Sequence, residues 1–381
     1  MIHMKKKRIK KTIILLILLL LPNLFTGCWD QQPIGRLKID LTMGMDISPE
    51  KRLLITRSAP VYEEEISSKS EIITEEVNSP QRSREESRAT SYNLTVGGKL
   101  QQILFSKELA SIGISDLIEV SERDTESSPL AMVIVVDGST KELLKKANEM
   151  KDKPAPGFYI NRLIDNNIKR ASIPETRVHN FCIAYFAPGI DPIVPRIKLE
   201  SDENIGIKVM GSALFSGDKL VGEIDIRDTA ILLAMMGEMR RSVYSFETSR
   251  SFLEGNRPKT ASSFSINRTK RKIKVRMDNG IPKVDISLDM RGNVQEYRWG
   301  GIKDNKDKSE LEKLVGDEIT GICEKVLKYT QEVGSDPIGV GSMMRAKYGA
   351  QWKEDQWKEN YKKTVFNVKV NYTIKHHGVI K

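Results

Sequence analysis

Residues 284–290 read Val-Asp-Ile-Ser-Leu-Asp-Met, with apolar and polar side chains alternating at every position. A period of two places the apolar side chains on one face of a β-strand and the polar ones on the other. Residues 272–277 and 366–374 show the same alternation. Three such strands predict an antiparallel sheet with one face in water and one face buried.

A long helix is predicted between the last two strands, at residues 308–333. Its apolar side chains recur at helical spacing and make one stripe. The stripe consists of Leu311, Leu314, Val315, Ile319, Ile322, Val326 and Thr330. The helix should cover the dry face of the sheet, so we expect an α+β fold in which a C-terminal antiparallel sheet is packed by a long helix.

The preceding half of the chain predicts a mixed α/β region. Residues 130–136 form an apolar strand, and the Ser139/Glu142 capping box then opens a helix that runs to about residue 150. We expect a second helix at 158–171, a strand at 177–186 and a break with a domain boundary at 191–195. After the break, 209–215 and 219–223 predict a hairpin, and 226–241 a helix.

One segment of the N-terminal half is strongly acidic. Residues 63–86 contain eight Glu against Lys69, Arg82 and Arg84. So little apolar surface would not offset the entropy lost on ordering the segment. The composition therefore predicts a mobile acidic loop, with bounds of 63–91.

The whole-chain composition limits the class of protein. The 381 residues are 39% apolar and 29% charged, which excludes a polytopic membrane protein because each span would need about 20 apolar residues. Three cysteines exclude a disulfide framework and a four-thiolate zinc site. The net charge of +10 taken alone would favour a partner that carries phosphates.

The first 28 residues account for most of that charge. Six basic residues at positions 5–11 precede an apolar run at 13–21, which is too short to span a bilayer and suits an export signal. The run leads to Leu24-Phe25-Thr26-Gly27-Cys28, which resembles the lipobox of bacterial lipoproteins. The resemblance implies cleavage between Gly27 and Cys28 and a diacylglyceryl thioether on Cys28. The alternative is an uncleaved signal anchor with an incidental cysteine.

Cleavage would leave a weakly charged protein on a short tether. The signal contains six basic residues and no acidic one, so the mature chain has 55 basic against 51 acidic residues and a net charge of +4. The eight residues from Trp29 to Arg36 reach at most about 26 Å. We therefore expect a folded body close to the outer face of a membrane.

No catalytic or metal-binding pattern is convincing. Ser216 and Lys219 match S-x-x-K, but they fall in the predicted hairpin turn, and the S-D-N and K-T-G elements of penicillin-binding proteins are missing. His376 and His377 are adjacent on a strand and would point to opposite faces, and His179 is interpreted as a strand-edge residue. The sequence predicts a protein that is not an enzyme and that has no cofactor and no metal.

The two remaining cysteines have apolar surroundings. Cys182 lies within the predicted strand and Cys323 beside the helical stripe, so both are interpreted as small buried side chains, with a disulfide between them as the alternative.

A basic run and an aromatic cluster also need interpretation. Residues 268–276 carry six Lys and Arg and no aromatic side chain, which argues against nucleic acid. A solvated strand face is the first interpretation, and contact with anionic lipid is the alternative.

Trp352, Trp357 and Tyr361 are predicted core anchors.

Several short motifs, in order, resemble the Ger(x)C family of spore germination lipoproteins. They are Cys28-Trp29-Asp30, residues 211–215 (GSALF) followed by 218–222 (DKLVG), residues 336–341 (DPIGVG), Trp352 with Trp357, and a closing strand that ends at Gly378.

The resemblance implies the C subunit of a nutrient germinant receptor, anchored by palmitate-containing lipid on the outer face of the spore inner membrane. It also implies assembly with integral membrane A and B subunits. The expected domains are a signal peptide (1–27), a tether (28–36), an N-terminal germination-protein domain (37–200, which could comprise two subdomains) and a C-terminal Ger(x)C domain (205–381). The alternative function is a substrate-binding lipoprotein of an importer, which would be expected to show two similar α/β lobes.

Overall fold

The computed structural model describes residues 11, 14–15, 37–61, 68–91, 93–123, 127–202, 204–239, 242–246, 262–296 and 305–376. The strands are β1 (Leu37–Ile39), β2 (Thr42–Ile47), β3 (Leu53–Pro60), β4 (Ser70–Val77), β5 (Leu94–Val96), β6 (Gln102–Ser106), β7 (Met132–Asp137), β8 (Ile193–Leu199), β9 (Ile207–Ser216), β10 (Lys219–Ile224), β11 (Ser242–Phe246), β12 (Ser262–Ile266), β13 (Arg268–Asp278), β14 (Ile281–Glu296) and β15 (Val365–His376). The helices are α1 (Pro80–Thr90), α2 (Lys107–Ile112), α3 (Ser115–Arg123), α4 (Thr140–Glu149), α5 (Pro156–Lys169), α6 (Val178–Phe186), α7 (Ile226–Met236), α8 (Asn305–Val333), α9 (Val340–Tyr348) and α10 (Glu354–Lys362).

An eight-stranded sheet forms the first body, in the order β10-β9-β8-β7-β6-β2-β3-β4. Its four middle strands, β8, β7, β6 and β2, pair in parallel, and the outer pairs are antiparallel. Helices cover both faces, as the near-continuous apolar sequence of β7 requires. Apolar residues of α2, α3 and α6 pack on one face, and those of α4 and α5 on the other.

A five-stranded sheet forms the second body, in the order β11-β12-β14-β13, with β15 on the free side of β14. The three predicted strands are present, and α8 covers their dry face through buried residues that include Val315, Ile319 and Cys323. The predicted antiparallel pairing is wrong for one pair, because β15 runs parallel to β14. The crossover that contains α8 brings β15 back in the direction of β14. The α+β class is confirmed.

The acidic segment is not the predicted loop, since the described part of it forms β4 and α1. Its glutamates find partners outside the segment or across a turn, which a local charge count misses. Glu71 pairs with Lys38, Glu76 pairs with Arg52, and Glu75 accepts a hydrogen bond from Ser83 in α1. Residues 62–67 and 92 lie outside the described residues.

Two other local predictions are wrong. Residues 178–186 form helix α6 instead of a strand. The buried residues Val178, Phe181 and Cys182 have the i, i+3, i+4 spacing of one helical face, while Ile183 and Phe186 are exposed. Tertiary packing here overrides β-propensity. The predicted break at 191–195 is largely strand β8, which pairs with β7 and β9.

The eight-stranded sheet continues past the proposed boundary between residues 200 and 205. The predicted hairpin is present as β9 and β10, with Ser216 opposite Lys219, and it forms one end of that sheet. Ile193 of β8, Leu214 of β9 and Ile224 of β10 also belong to the apolar core of the second body. Strands of the first body therefore contribute side chains to the core of the second, and the domain division stays a prediction.

Candidate functional site

The predicted lipid site, Cys28, and the cleavage position at Gly27 lie outside the described residues. Cys28 therefore stays a prediction. No helix in the described ranges is long and apolar enough to cross a bilayer.

The most elaborate polar site within the described residues is built around Asp336, which is 2% exposed. It lies in the loop between α8 and α9, and its carboxylate accepts four N–H groups. Gly339 and Val340 donate to Oδ1 (3.0 Å each), while Gly341 (2.8 Å) and Trp357 Nε1 (3.1 Å) donate to Oδ2. The carboxylate thereby satisfies the free N–H groups at the start of α9.

A second carboxylate links this loop to the eight-stranded sheet. Asp191 accepts hydrogen bonds from the Asp336 N–H (2.8 Å) and from the Gly217 N–H of the β9–β10 turn (2.7 Å). The Asp191 N–H in turn donates to the Asp336 carbonyl (3.0 Å). We call these two carboxylates, with the α8–α9 loop, the α6–β8 loop and the β9–β10 turn that they connect, the aspartate junction.

Two glycines let the backbones touch within the junction. The Ser342 N–H donates to the Gly189 carbonyl at 2.9 Å. A Cβ on Gly341 would lie 2.5 Å from Trp357 Nε1 and 2.6 Å from Gly189 Cα, and a Cβ on Gly189 would lie 2.5 Å from the Gly341 carbonyl carbon. The close approach therefore requires glycine at both positions.

Burial sets the electrostatics of the junction. Burial, together with the smaller effect of the nearby Asp191 charge, raises the pKa of Asp336 to about 7 against the lowering effect of the N–H donors. Burial also raises the pKa of Asp191. Since the oxygens of Asp336 face protein donors and not solvent, the site can hold segments together and bind a proton, but it offers no open position for a substrate.

Aromatic rings support the junction from the second body. The Trp357 ring lies 5.9 Å from that of Tyr361, which lies 6.1 Å from that of Phe366. Trp357 and Tyr361 are buried, and Trp352 packs against them half-buried. The prediction that these three residues are core anchors is therefore confirmed.

Buried charges also occur in the first body. The Asp46 carboxylate accepts from the N–H groups of Thr140 (2.8 Å) and Lys141 (3.0 Å) at the start of α4, next to the predicted cap Ser139. Arg57 and Asp40 form a buried pair with 3.7 Å between Nη1 and Oδ2. Burial raises the pKa of Asp40 to about 6, although Arg57 opposes the shift.

The other residues selected from sequence lie apart from one another. Ser216 and Lys219 flank a hairpin turn, as expected. His179 is exposed on α6 beside Glu122, with 3.0 Å from Nδ1 to Oε1, and not on a strand edge. The described residues contain no His, Cys, Asp and Glu group that could hold a metal ion. His376 ends β15, and His377 lies outside the described part.

The cysteines Cys182 and Cys323 are both buried free thiols. Cys182 belongs to the core of the first body and Cys323 to that of the second, so the alternative of a disulfide between them is not realised.

Sequence reasoning found part of the junction. The sequence motifs include residues 336–341, Trp357 and residues 218–222, and the structure brings residues 336–341 and Trp357 together with the β9–β10 turn that precedes Lys219. Asp191 belongs to no predicted motif and falls in the predicted break at 191–195. The sequence around Asp191 does not indicate its role, because its partners Gly217 and Asp336 lie 26 and 145 positions away in the chain.

Comparison with known proteins matches both halves of the chain. Residues 30–199 match the model "Spore germination protein N-terminal domain", and residues 210–378 match "Spore germination B3/ GerAC like, C-terminal". Among curated proteins, the chain is 24% identical to spore germination protein GerQC of Bacillus cereus over 74% of this chain and 76% of that protein. It is 21% identical to spore germination protein KC of Bacillus subtilis (strain 168), over 93% and 92%.

The fold also has a solved counterpart. The crystal structure of the GerBC protein superposes with a TM-score of 0.55 and 18% identity, covering 87% of this chain and 96% of that one. At this identity the match supports the fold alone. The two consecutive family matches and the shared fold show that the chain belongs to the Ger(x)C family of spore germination proteins.

Proposed function

We propose that the chain is the C subunit of a nutrient germinant receptor, required for spore germination. The observation that carries this proposal is the pair of spore germination models that match residues 30–199 and 210–378 in order. The subunit would act by binding and assembly and not by catalysis, in keeping with the closed aspartate junction.

The subunit would be held at the membrane by lipid on Cys28. The first described strand begins at Leu37, nine positions after that cysteine. A two-chain lipid gives stable attachment, and the short tether would keep the body within reach of integral membrane A and B subunits. The proposed location is the outer face of the spore inner membrane.

The aspartate junction supports a role as a rigid adaptor. It joins three loops from the two bodies by hydrogen bonds to buried carboxylates, so contacts on one body would be transmitted to the other without an intervening flexible linker. Such rigidity suits a subunit that contacts two partners at once.

A deletion strain tests the function. Loss of germination with nutrients, with normal germination by non-nutrient triggers, is the expected result. Unchanged nutrient germination would contradict the proposal, and loss of uptake of one solute would favour the importer alternative. Copurification of two multi-span proteins with the detergent-solubilised chain tests the partner assignment separately.

Replacing the proposed lipid site tests the anchor. Cys28→Ala should abolish incorporation of radioactive palmitate, leave an unacylated precursor and impair nutrient germination. Cys182→Ala is the matched control, because that thiol is buried in the core and its variant should still incorporate label. Label retained by Cys28→Ala would show that the lipid is elsewhere.

A further inference from the structure

The solvent side of the sheet in the second body is positively charged. Alternate residues of β13, β14 and β15 point away from α8 and are exposed or half-exposed. We call this surface the basic face. It carries the basic residues Arg268, Lys270, Lys272, Lys274, Arg276, Lys283, Arg291, Lys369 and Lys375 and the acidic residues Asp278, Asp285 and Asp289.

Charge is segregated onto this face. Its formal charge is +6, whereas that of the whole chain after residue 27 is +4, so the remainder of the protein is slightly acidic. The five cations of β13 alone extend over about 27 Å at about 3.4 Å per residue. The face therefore presents an extended array of positive charge instead of an isolated cluster.

Ion pairs within the fold leave most of this charge unneutralised. Arg276 pairs with Asp285, and Lys283 pairs with Asp278. The third acid, Asp289, accepts a hydrogen bond from Asn371 at 2.8 Å. The other seven cations have no ion pair within the described residues.

The cross-strand register leaves one like-charge pair without a compensating acid. Arg268 lies directly opposite Arg291, whereas Lys270 lies opposite Asp289 and Lys274 opposite Asp285. A like-charge pair destabilises a sheet, so the Arg268–Arg291 end of the face suits contact with an external anion.

The chemistry of the face selects the kind of anion. The face contains no aromatic side chain. Nucleic-acid sites commonly use aromatic side chains to stack on bases, and protein interfaces use them as central anchors. Its only large apolar side chains, Ile281 and Val365, lie together at the hairpin end. An extended, lysine-rich surface suits the phosphates of a lipid layer. We propose that the basic face docks on anionic phospholipid headgroups of the membrane.

This contact would orient the body on its membrane and supplement the lipid anchor, since one basic surface and a lipid reinforce each other. It is tested without the anchor. A chain of residues 29–381 retains every described strand and every described helix of the two bodies but lacks Cys28, so its binding does not depend on acylation or on the germination role.

The assay is cosedimentation with vesicles of equal parts phosphatidylglycerol and phosphatidylcholine, with pure phosphatidylcholine as the neutral reference. The wild-type chain should bind only the anionic vesicles, and added salt should release it. The triple variant Lys270→Gln, Lys272→Gln, Lys274→Gln should bind at least tenfold more weakly, since each basic residue near such a surface contributes about fivefold.

The matched control is Lys99→Gln, Lys145→Gln, Lys353→Gln, which removes three exposed charges outside the basic face. It should bind like the wild type, and circular dichroism should show both variants folded. Equal weakening of the two variants, or no binding of the wild type to anionic vesicles, would overturn the proposal. Capture by immobilised polyglutamate but not by vesicles would assign the face to an acidic protein instead.

Discussion

Replacing Gly341 by alanine should break the aspartate junction at a defined place. The new Cβ would lie 2.5 Å from Trp357 Nε1 and 2.6 Å from Gly189 Cα, distances that real Cβ atoms do not tolerate. Either the indole must leave the Asp336 carboxylate or the start of α9 must move away from it. Both movements break a buried hydrogen bond to a carboxylate.

The expected loss combines two effects. A lost hydrogen bond to a charged group costs about 1.5–3 kcal/mol, and overpacking a core adds about 1–3 kcal/mol. Alanine recovers up to about 1 kcal/mol of helix propensity because Gly341 lies in α9. The free energy of unfolding should therefore fall by about 3 kcal/mol.

Gly321→Ala is the matched control. Gly321 also lies within a helix, α8, but a Cβ there meets nothing within 4 Å. The Gly321→Ala variant should gain the same helix propensity as Gly341→Ala and be stabilised by up to about 1 kcal/mol. Urea denaturation followed by tryptophan fluorescence and circular dichroism compares the two. A difference below about 1 kcal/mol between the variants would refute the close backbone contact at Gly341.

Three further predictions concern buried carboxylates. Because the pKa of Asp336 is about 7 in the folded state and about 3.9 when unfolded, the folded state retains a proton between these values. Stability should therefore fall as pH rises from about 4 to 7, and urea midpoints of Asp336→Asn should show a smaller fall. Asp46→Ala should lower the free energy of unfolding by about 2 kcal/mol, and Ser139→Ala by about 1 kcal/mol. The loss is larger for Asp46 because its buried carboxylate accepts two backbone N–H groups of α4. Equal losses in urea denaturation would contradict this. Arg57→Met alone should cost about 3–5 kcal/mol by leaving Asp40 unpaired, and adding Asp40→Asn should restore most of that loss; a further loss in the double variant would contradict the pairing.

The sequence predicts those strands and helices that carry a clear pattern of apolar and polar residues within their own length. The alternation at 284–290, the stripe of α8 and the Ser139 cap each correspond to an element in the structure. These signals are local, since a strand or helix with one buried face repeats its apolar residues at a fixed period.

The failures share a dependence on distant partners. Two glutamates of β4 pair with the distant Lys38 and Arg52, and the parallel placement of β15 follows from the crossover that contains α8. Asp191 joins the junction through residues far along the chain. No window of sequence contains both members of such contacts, so composition alone suggested a loop and a break.

The continuity of the eight-stranded sheet constrains how the two halves of the chain can evolve. The first family model ends at residue 199, where β8 ends, and the second begins at residue 210, within β9. These two strands nevertheless pair along most of their length. In a chimera that takes one half from this chain and the other half from a relative, β8 and β9 would come from different proteins and would still have to pair. The halves are therefore expected to change together in evolution, and separately expressed fragments should recover the fold only when mixed with their own counterpart.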